Sequence, residues 1–153
     1  QVVDRMVAET PAGVACTTFS IIFARIKGDL ATLMDGTRAI ENLRSGDKIL
    51  IAESCSHHPM EDDIGRIKIP KWLREYTNAD LEFESRAGRD FPDDLSQYKL
   101  IVQCGGCMNN RAEMLSRLDR AACAGVPITN YGLCISQTQG VFDRVISPFN
   151  QNK

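Results

Sequence analysis

Three short apolar runs constrain this chain more than any other feature: "KILIA" at 48–52, "KLIV" at 99–102 and "VPITN" at 126–130. A strand with one wet face alternates polar and apolar residues with period two. These runs do not alternate, and turn residues bound them, as suits strands buried on both faces. A fourth segment, "LEFES" at 81–85, does alternate: Leu81, Phe83 and Ser85 against Glu82 and Glu84. It reads as a half-exposed edge strand. Strands separated by helical patterns imply an α/β domain with a Rossmann-like parallel sheet, covered by helices on both faces. Ligands of such sheets bind outside the carboxyl ends of the strands.

The intervening segments carry helix signals. "TTFSIIFARIKGD" is apolar, with Thr17 or Thr18 placed to cap it. After Asp29, the residues Leu30, Leu33, Met34, Thr37, Ile40 and Leu43 recur at helical spacing, and Ser45-Gly46-Asp47 ends the pattern. Pro70 suits a first helical turn, with Trp72, Leu73 and Tyr76 on the buried side. Asn110 and Glu113 have capping-box spacing; Met114, Leu118 and Ala121 face inward, and Gly125 with Pro127 closes that helix. A last helix is expected over Ile135 to Val145, while Pro11 and Gly13 break any element near the start.

Length and charge exclude several function classes. The 153 residues suffice for one domain with its own core, and a net charge of −2 offers no electrostatic attraction to nucleic acid or an anionic membrane. No apolar run approaches the roughly 20 residues that span a bilayer, and no signal-peptide pattern opens the chain. Six cysteines in a chain of this kind point to the reducing cytoplasm and to metal or redox chemistry rather than to disulfides. The start at Gln1 reads as that of a piece of something longer.

Placing the cysteines on the scaffold gives a candidate site. Cys55 follows the 48–52 run by three residues, and Cys104 follows "LIVQ" directly, so both leave the carboxyl edge of buried strands. If those strands pair, ~4.8 Å apart, their loops bring the thiols together. Cys107 lies one turn beyond Cys104, across Gly105 and Gly106, which allow backbone N–H groups to turn toward a ligand. The set is Cys55, Cys104 and Cys107 with an imidazole from His57 or His58, and a helix start near Asn110 favours anionic groups there. Arg111 beside the pair reads either as a residue that pins an anionic ligand or as a surface arginine. His58, before Pro59, also reads as an exposed loop residue, Glu61-Asp62-Asp63 as a solvated helix start, and Cys16, Cys123 and Cys134 as buried structural thiols. Spacing leaves both a tetrahedral zinc and a [4Fe–4S] cluster open, with a Cys104/Cys107 dithiol couple as a third reading.

The phrases "TTFSIIFARIKGDL", "ESCSHHPMEDDIGRIKIPKWLREY", "AGRDFPDDLSQYKLIVQCGGCMNNRAEM" and "GVPITNYG", in this order, resemble the cluster-binding domain of HydF, the [FeFe]-hydrogenase maturation GTPase family. The resemblance implies residues 1–15 as the tail of a dimerisation domain and 16–150 as an iron–sulfur domain. It implies a [4Fe–4S] cluster on Cys55, Cys104 and Cys107, with His57 as a further ligand, and a scaffold that carries a di-iron precursor. The implied partners are the apo-[FeFe]-hydrogenase and other maturation proteins, with a homodimer in the longer parent. Where the family has histidine before the second cysteine, this chain has Gln103, a far weaker ligand than imidazole. His57, water or a nearby carboxylate is left for the fourth position. No G-x-x-x-x-G-K-[ST] phosphate loop occurs, so GTP belongs only to the parent's GTPase domain and this chain is expected to be no enzyme.

Overall fold

A computed structural model describes residues 2–54, 63–106 and 108–149. Its order is α1 (Val2–Glu9), α2 (Phe19–Lys27), α3 (Leu30–Arg38), β1 (Lys48–Ala52), α4 (Ile69–Thr77), β2 (Glu82–Arg86), β3 (Leu100–Gln103), α5 (Arg111–Cys123), β4 (Ile128–Asn130), α6 (Tyr131–Thr138) and α7 (Phe142–Ile146). Short 3-10 turns follow α3 and α7, and a π-helical turn, Ile64–Lys68, precedes α4.

The four strands form one sheet in the order β2-β1-β3-β4, parallel throughout. The α/β fold with a parallel sheet therefore stands. The two central strands are buried on both faces, which explains their unbroken apolar sequence. One face of the sheet sets Leu50, Ala52, Ile101 and Ile128 against Ile21, Leu33, Leu118, Ala121 and Leu133. The other sets Ile49, Ile51, Leu100 and Val102 against Ile40, Leu43, Ile69, Leu73 and Cys134. Each fully buried aliphatic side chain contributes about 1.5–3 kcal/mol, so these layers fix which strands can be neighbours. Among the described residues the edge strand β2 pairs only with β1, and it keeps Glu82, Ser85 and Arg86 at the surface.

Of the expected caps, Thr18 stands at the start of α2 but makes no side-chain capping hydrogen bond, whereas Asn110 does cap α5. Asp29 accepts from the Thr32 N–H at 2.9 Å, and Asn110 accepts from the Glu113 N–H at 2.9 Å. The capping box is half made, because the Glu113 carboxylate takes the Arg117 Nε at 2.9 Å instead of turning back. Met114, Leu118 and Ala121 are buried as expected, and Gly125 adopts φ +67°, a left-handed conformation that glycine permits after a helix.

Several expectations need correction. The expected last helix is two helices, α6 and α7, because Gly140 at φ +71° turns the chain between them. Helix α1 has no counterpart among the sequence signals. The π-helical turn was equally invisible, and Tyr76 is 39% exposed rather than buried. Cys123, expected inside, is exposed at the last residue of α5, whereas Cys16 and Cys134 are buried. Three residues after Arg120 and two after Ala121, Cys123 falls outside the inward stripe that Met114, Leu118 and Ala121 define.

Two close approaches lock helices to the sheet. A Cβ on Gly36 would stand 1.9 Å from the Ile128 carbonyl oxygen, so α3 rests on β4 at a distance only glycine allows. A Cβ on Gly132 would stand 2.1 Å from the Ser20 Cβ, which seats α2 on the start of α6. Among the described residues, no helix is long and apolar enough to cross a membrane.

Candidate metal centre

The strand order reverses between β1 and β3: β1 has β2 on its other side, and β3 has β4. Successive crossovers leave in opposite directions there, and a crevice opens at the carboxyl ends of the two strands. The pairing that the site required is present, with Ile51 opposite Val102 and Ala52 opposite Gln103. The Cys104 N–H donates to the Ala52 carbonyl at 2.9 Å, extending the ladder one step beyond the strands.

The Cys104 sulfur faces the exit of β1. It accepts from the Ser54 N–H at 3.1 Å, and its thiol meets the Ser54 Oγ at 2.8 Å. Ser54 is the residue before Cys55. Cys55, His57, His58 and Cys107 lie outside the described residues. Among the described residues, no group of three or more His, Cys, Asp or Glu side chains is arranged to hold a metal ion. The Cys104 sulfur thus enters the crevice already oriented by two polar groups of Ser54, the kind of outer contact that would orient a sulfur ligand.

The segment after Cys104 is held from two sides. Gly106 adopts φ +65°, and a Cβ there would stand 2.6 Å from the Met114 Sδ. Lys27, at the end of α2, donates from Nζ to the carbonyls of Gly106 at 3.2 Å and Asn109 at 3.1 Å. Arg111 returns the contact by donating from Nη1 to the carbonyls of Ile26 at 2.8 Å and Gly28 at 3.3 Å. In this structure the Arg111 guanidinium therefore serves the carboxyl end of α2, whose unpaired carbonyls attract cations.

Beside the sulfur lies a buried polar group that the sequence did not announce. Glu53 is buried; Arg66, on the π-helical turn, donates to its Oε2 from Nη2 at 2.8 Å and from Nε at 3.2 Å. Asp63 caps that turn by accepting from the Arg66 N–H at 2.8 Å. The Glu53 hydrogen bond raises the Arg66 pKa above its ordinary value. The ion pair thus joins residue 53, just before the cysteine–histidine segment, to residue 66, just after it.

Tyr131 completes this corner. Its hydroxyl lies over Gly65, where a Cβ would stand 2.0 Å away, and has no hydrogen-bond partner among the described residues. Burial first, then the nearby Glu53 carboxylate, pushes its pKa well above the ordinary phenol range, so it stays protonated as a donor. Gln103 is 1% exposed, and neither its Oε1 nor its Nε2 has a partner among the described residues. Two orphaned polar side chains flanking one cysteine are costly in a finished core, about 1–3 kcal/mol each, and fit a site that takes a polar or charged group. Sequence reasoning missed Glu53, Ser54, Arg66 and Tyr131. Only the adjacency of Glu53 and Ser54 to Cys55 could have signalled them.

Residues 31–148 match a family model described as the hydrogen maturase F tetramerization domain. No curated protein matches the chain. The description names a module of self-association in hydrogenase maturation and not a catalytic one.

Proposed function

The chain belongs to the hydrogen maturase F tetramerization-domain family, and from that premise we propose that it is a non-catalytic carrier that binds a [4Fe–4S] cluster. In this reading it holds a di-iron precursor and passes it to an apo-[FeFe]-hydrogenase in the cytoplasm, with other maturation proteins as further partners. The observation that carries the reading is the position of Cys104. It leaves β3 at the switch point of the sheet, with its sulfur on the residue that precedes Cys55.

The proposed ligands are Cys55, Cys104 and Cys107, with His57 available for a fourth position. When bound, the cluster supplies an iron centre whose fourth position can be exchanged. The chain's own residues do the rest. Ser54 orients the Cys104 sulfur, and Lys27 and Arg111 hold the following turn to α2. The Glu53–Arg66 pair ties together the ends of the segment that carries Cys55 and His57. Gln103, where an imidazole ligand would be available in relatives, offers an amide to the site instead. GTP hydrolysis is assigned to another domain of the parent, since no phosphate loop is present in this chain.

The test is anaerobic reconstitution of the chain with iron and sulfide, followed by metal analysis and EPR of the reduced protein. Roughly four irons per chain are expected for a [4Fe–4S] cluster, with loss of iron and signal in Cys55→Ser, Cys104→Ser and Cys107→Ser. One tightly held zinc and no stable cluster would instead make the same ligands a structural metal site.

A further inference from the structure

Among the described residues, Ser54 presents two polar atoms directly to the Cys104 sulfur: its N–H at 3.1 Å and its Oγ at 2.8 Å. We propose that Ser54 is a positioning residue that tunes the reduction potential of the cluster by donating two hydrogen bonds to the Cys104 thiolate. The role rests on the cluster reading given above.

The chemistry follows from what the sulfur becomes on binding. In the metal-free chain the Cys104 thiol donates to the Ser54 Oγ. A ligating cysteine has lost that proton, and a thiolate can only accept. The serine hydroxyl is a rotor with a hydrogen of its own, so it turns and donates where it had accepted. The backbone N–H already points at the sulfur and needs no change. Both donors sit on a rigid platform, because the Glu53 N–H is bound to the Arg86 carbonyl at 2.8 Å and the Cys104 N–H to the Ala52 carbonyl at 2.9 Å. The sulfur is therefore held between two pinned strand ends.

Hydrogen bonds to cluster sulfurs are one of the levers that set the potential. Adding an electron places more negative charge on the thiolates, so a donor stabilises the reduced state more than the oxidised one. Removing the hydroxyl donor shifts the potential downward. A three- to tenfold change in the reduction equilibrium corresponds to ~30–60 mV for a one-electron couple at 59 mV per decade.

The experiment compares the reconstituted 153-residue chain with its Ser54→Ala and Ser54→Thr variants. Iron content and far-ultraviolet circular dichroism serve as controls, and midpoint potential as the readout. The expected result is equal iron loading, a potential lower by a three- to tenfold equilibrium shift in Ser54→Ala, and recovery in Ser54→Thr, which keeps the hydroxyl. A fully loaded Ser54→Ala with an unchanged potential overturns this role and leaves the cluster reading intact. A wild-type chain that takes up no cluster overturns both. A second measurement needs no metal. Amide exchange at Ser54 in the metal-free chain is expected to accelerate at least tenfold in Cys104→Ala, and an unchanged rate refutes the N–H donor outright.

Discussion

The Glu53–Arg66 pair makes an unequal prediction, because its two members are unequally buried. The Glu53 side chain is 5% exposed and that of Arg66 is 35% exposed. Changing Arg66 to Met strands a carboxylate in the protein, and breaking a buried pair in this way costs about 3–5 kcal/mol. Changing Glu53 to Gln strands a guanidinium that already reaches water. An amide oxygen still accepts from it, so the loss is the charge assistance, about 1–2 kcal/mol. Urea unfolding followed by circular dichroism measures both. With a denaturant slope of about 2 kcal/mol per molar, the midpoint falls by about 1.5–2.5 M in Arg66→Met and about 0.5–1 M in Glu53→Gln. The double variant Glu53→Gln/Arg66→Met should be more stable than Arg66→Met alone, since the amide removes the stranded charge. If Glu53→Gln costs as much as Arg66→Met, or the double variant is the least stable of the three, exposure does not govern this pair and the reasoning is wrong.

Other perturbations test other parts of the structure. Gly36→Ala gains about 1 kcal/mol of helix propensity but drives a Cβ into the Ile128 carbonyl, which cannot yield as a side-chain tip would. Overpacking of that kind costs about 3 kcal/mol, so a net fall of about 4–8 °C in Tm is expected for a domain of this size, and a rise would refute the close approach of α3 to β4. Glu84 is held at a pKa of about 2, below its ordinary 4.5, first by the hydrogen bond from Lys48 and then by those from Arg86 and Tyr98. Because the folded value is the lower one, its stabilisation is complete above pH 4.5 and is lost as the pH falls toward 2; Glu84→Gln should flatten the stability profile in that window. Thiol labelling of the native metal-free chain should modify Cys123, which is exposed, and spare Cys16 and Cys134 until urea is added. Burial also pushes the Cys134 thiol up to about 12, so prompt native-state labelling there would contradict the packing around α6.

Much of this molecule was legible in local sequence. The runs that became β1, β3 and β4, the caps at Asp29 and Asn110, and the left-handed Gly125 all depend on a residue and its neighbours three or four positions away. Hydrogen-bond partners at that range are set by backbone geometry, so the signal travels with the sequence. The expectation that Cys104 leaves a buried strand at the carboxyl edge of the sheet belongs to this class, because it follows from the end of a strand alone. Helix α1 and the split between α6 and α7 are local too, but their signals are weak: one short helix and one glycine.

Tertiary structure alone decided the rest. Nothing within β1 or β3 says that they pair with each other or that the order reverses between them; that came with the burial of two apolar layers on the sheet β2-β1-β3-β4. The Ser54–Cys104 contact spans 50 residues and the Lys27 clamp on Gly106 spans 79, distances over which no sequence periodicity operates. Arg66 found Glu53 because a π-helical turn aimed it inward, and Cys123 reached solvent because helix α5 packs through a narrower stripe than its composition suggests. Sequence by itself determined which residues could stand at the carboxyl edge of the sheet. Only the packing of distant apolar faces decided which of them stand together, since burial rewards any arrangement that excludes water and the backbone's local rules do not choose among them.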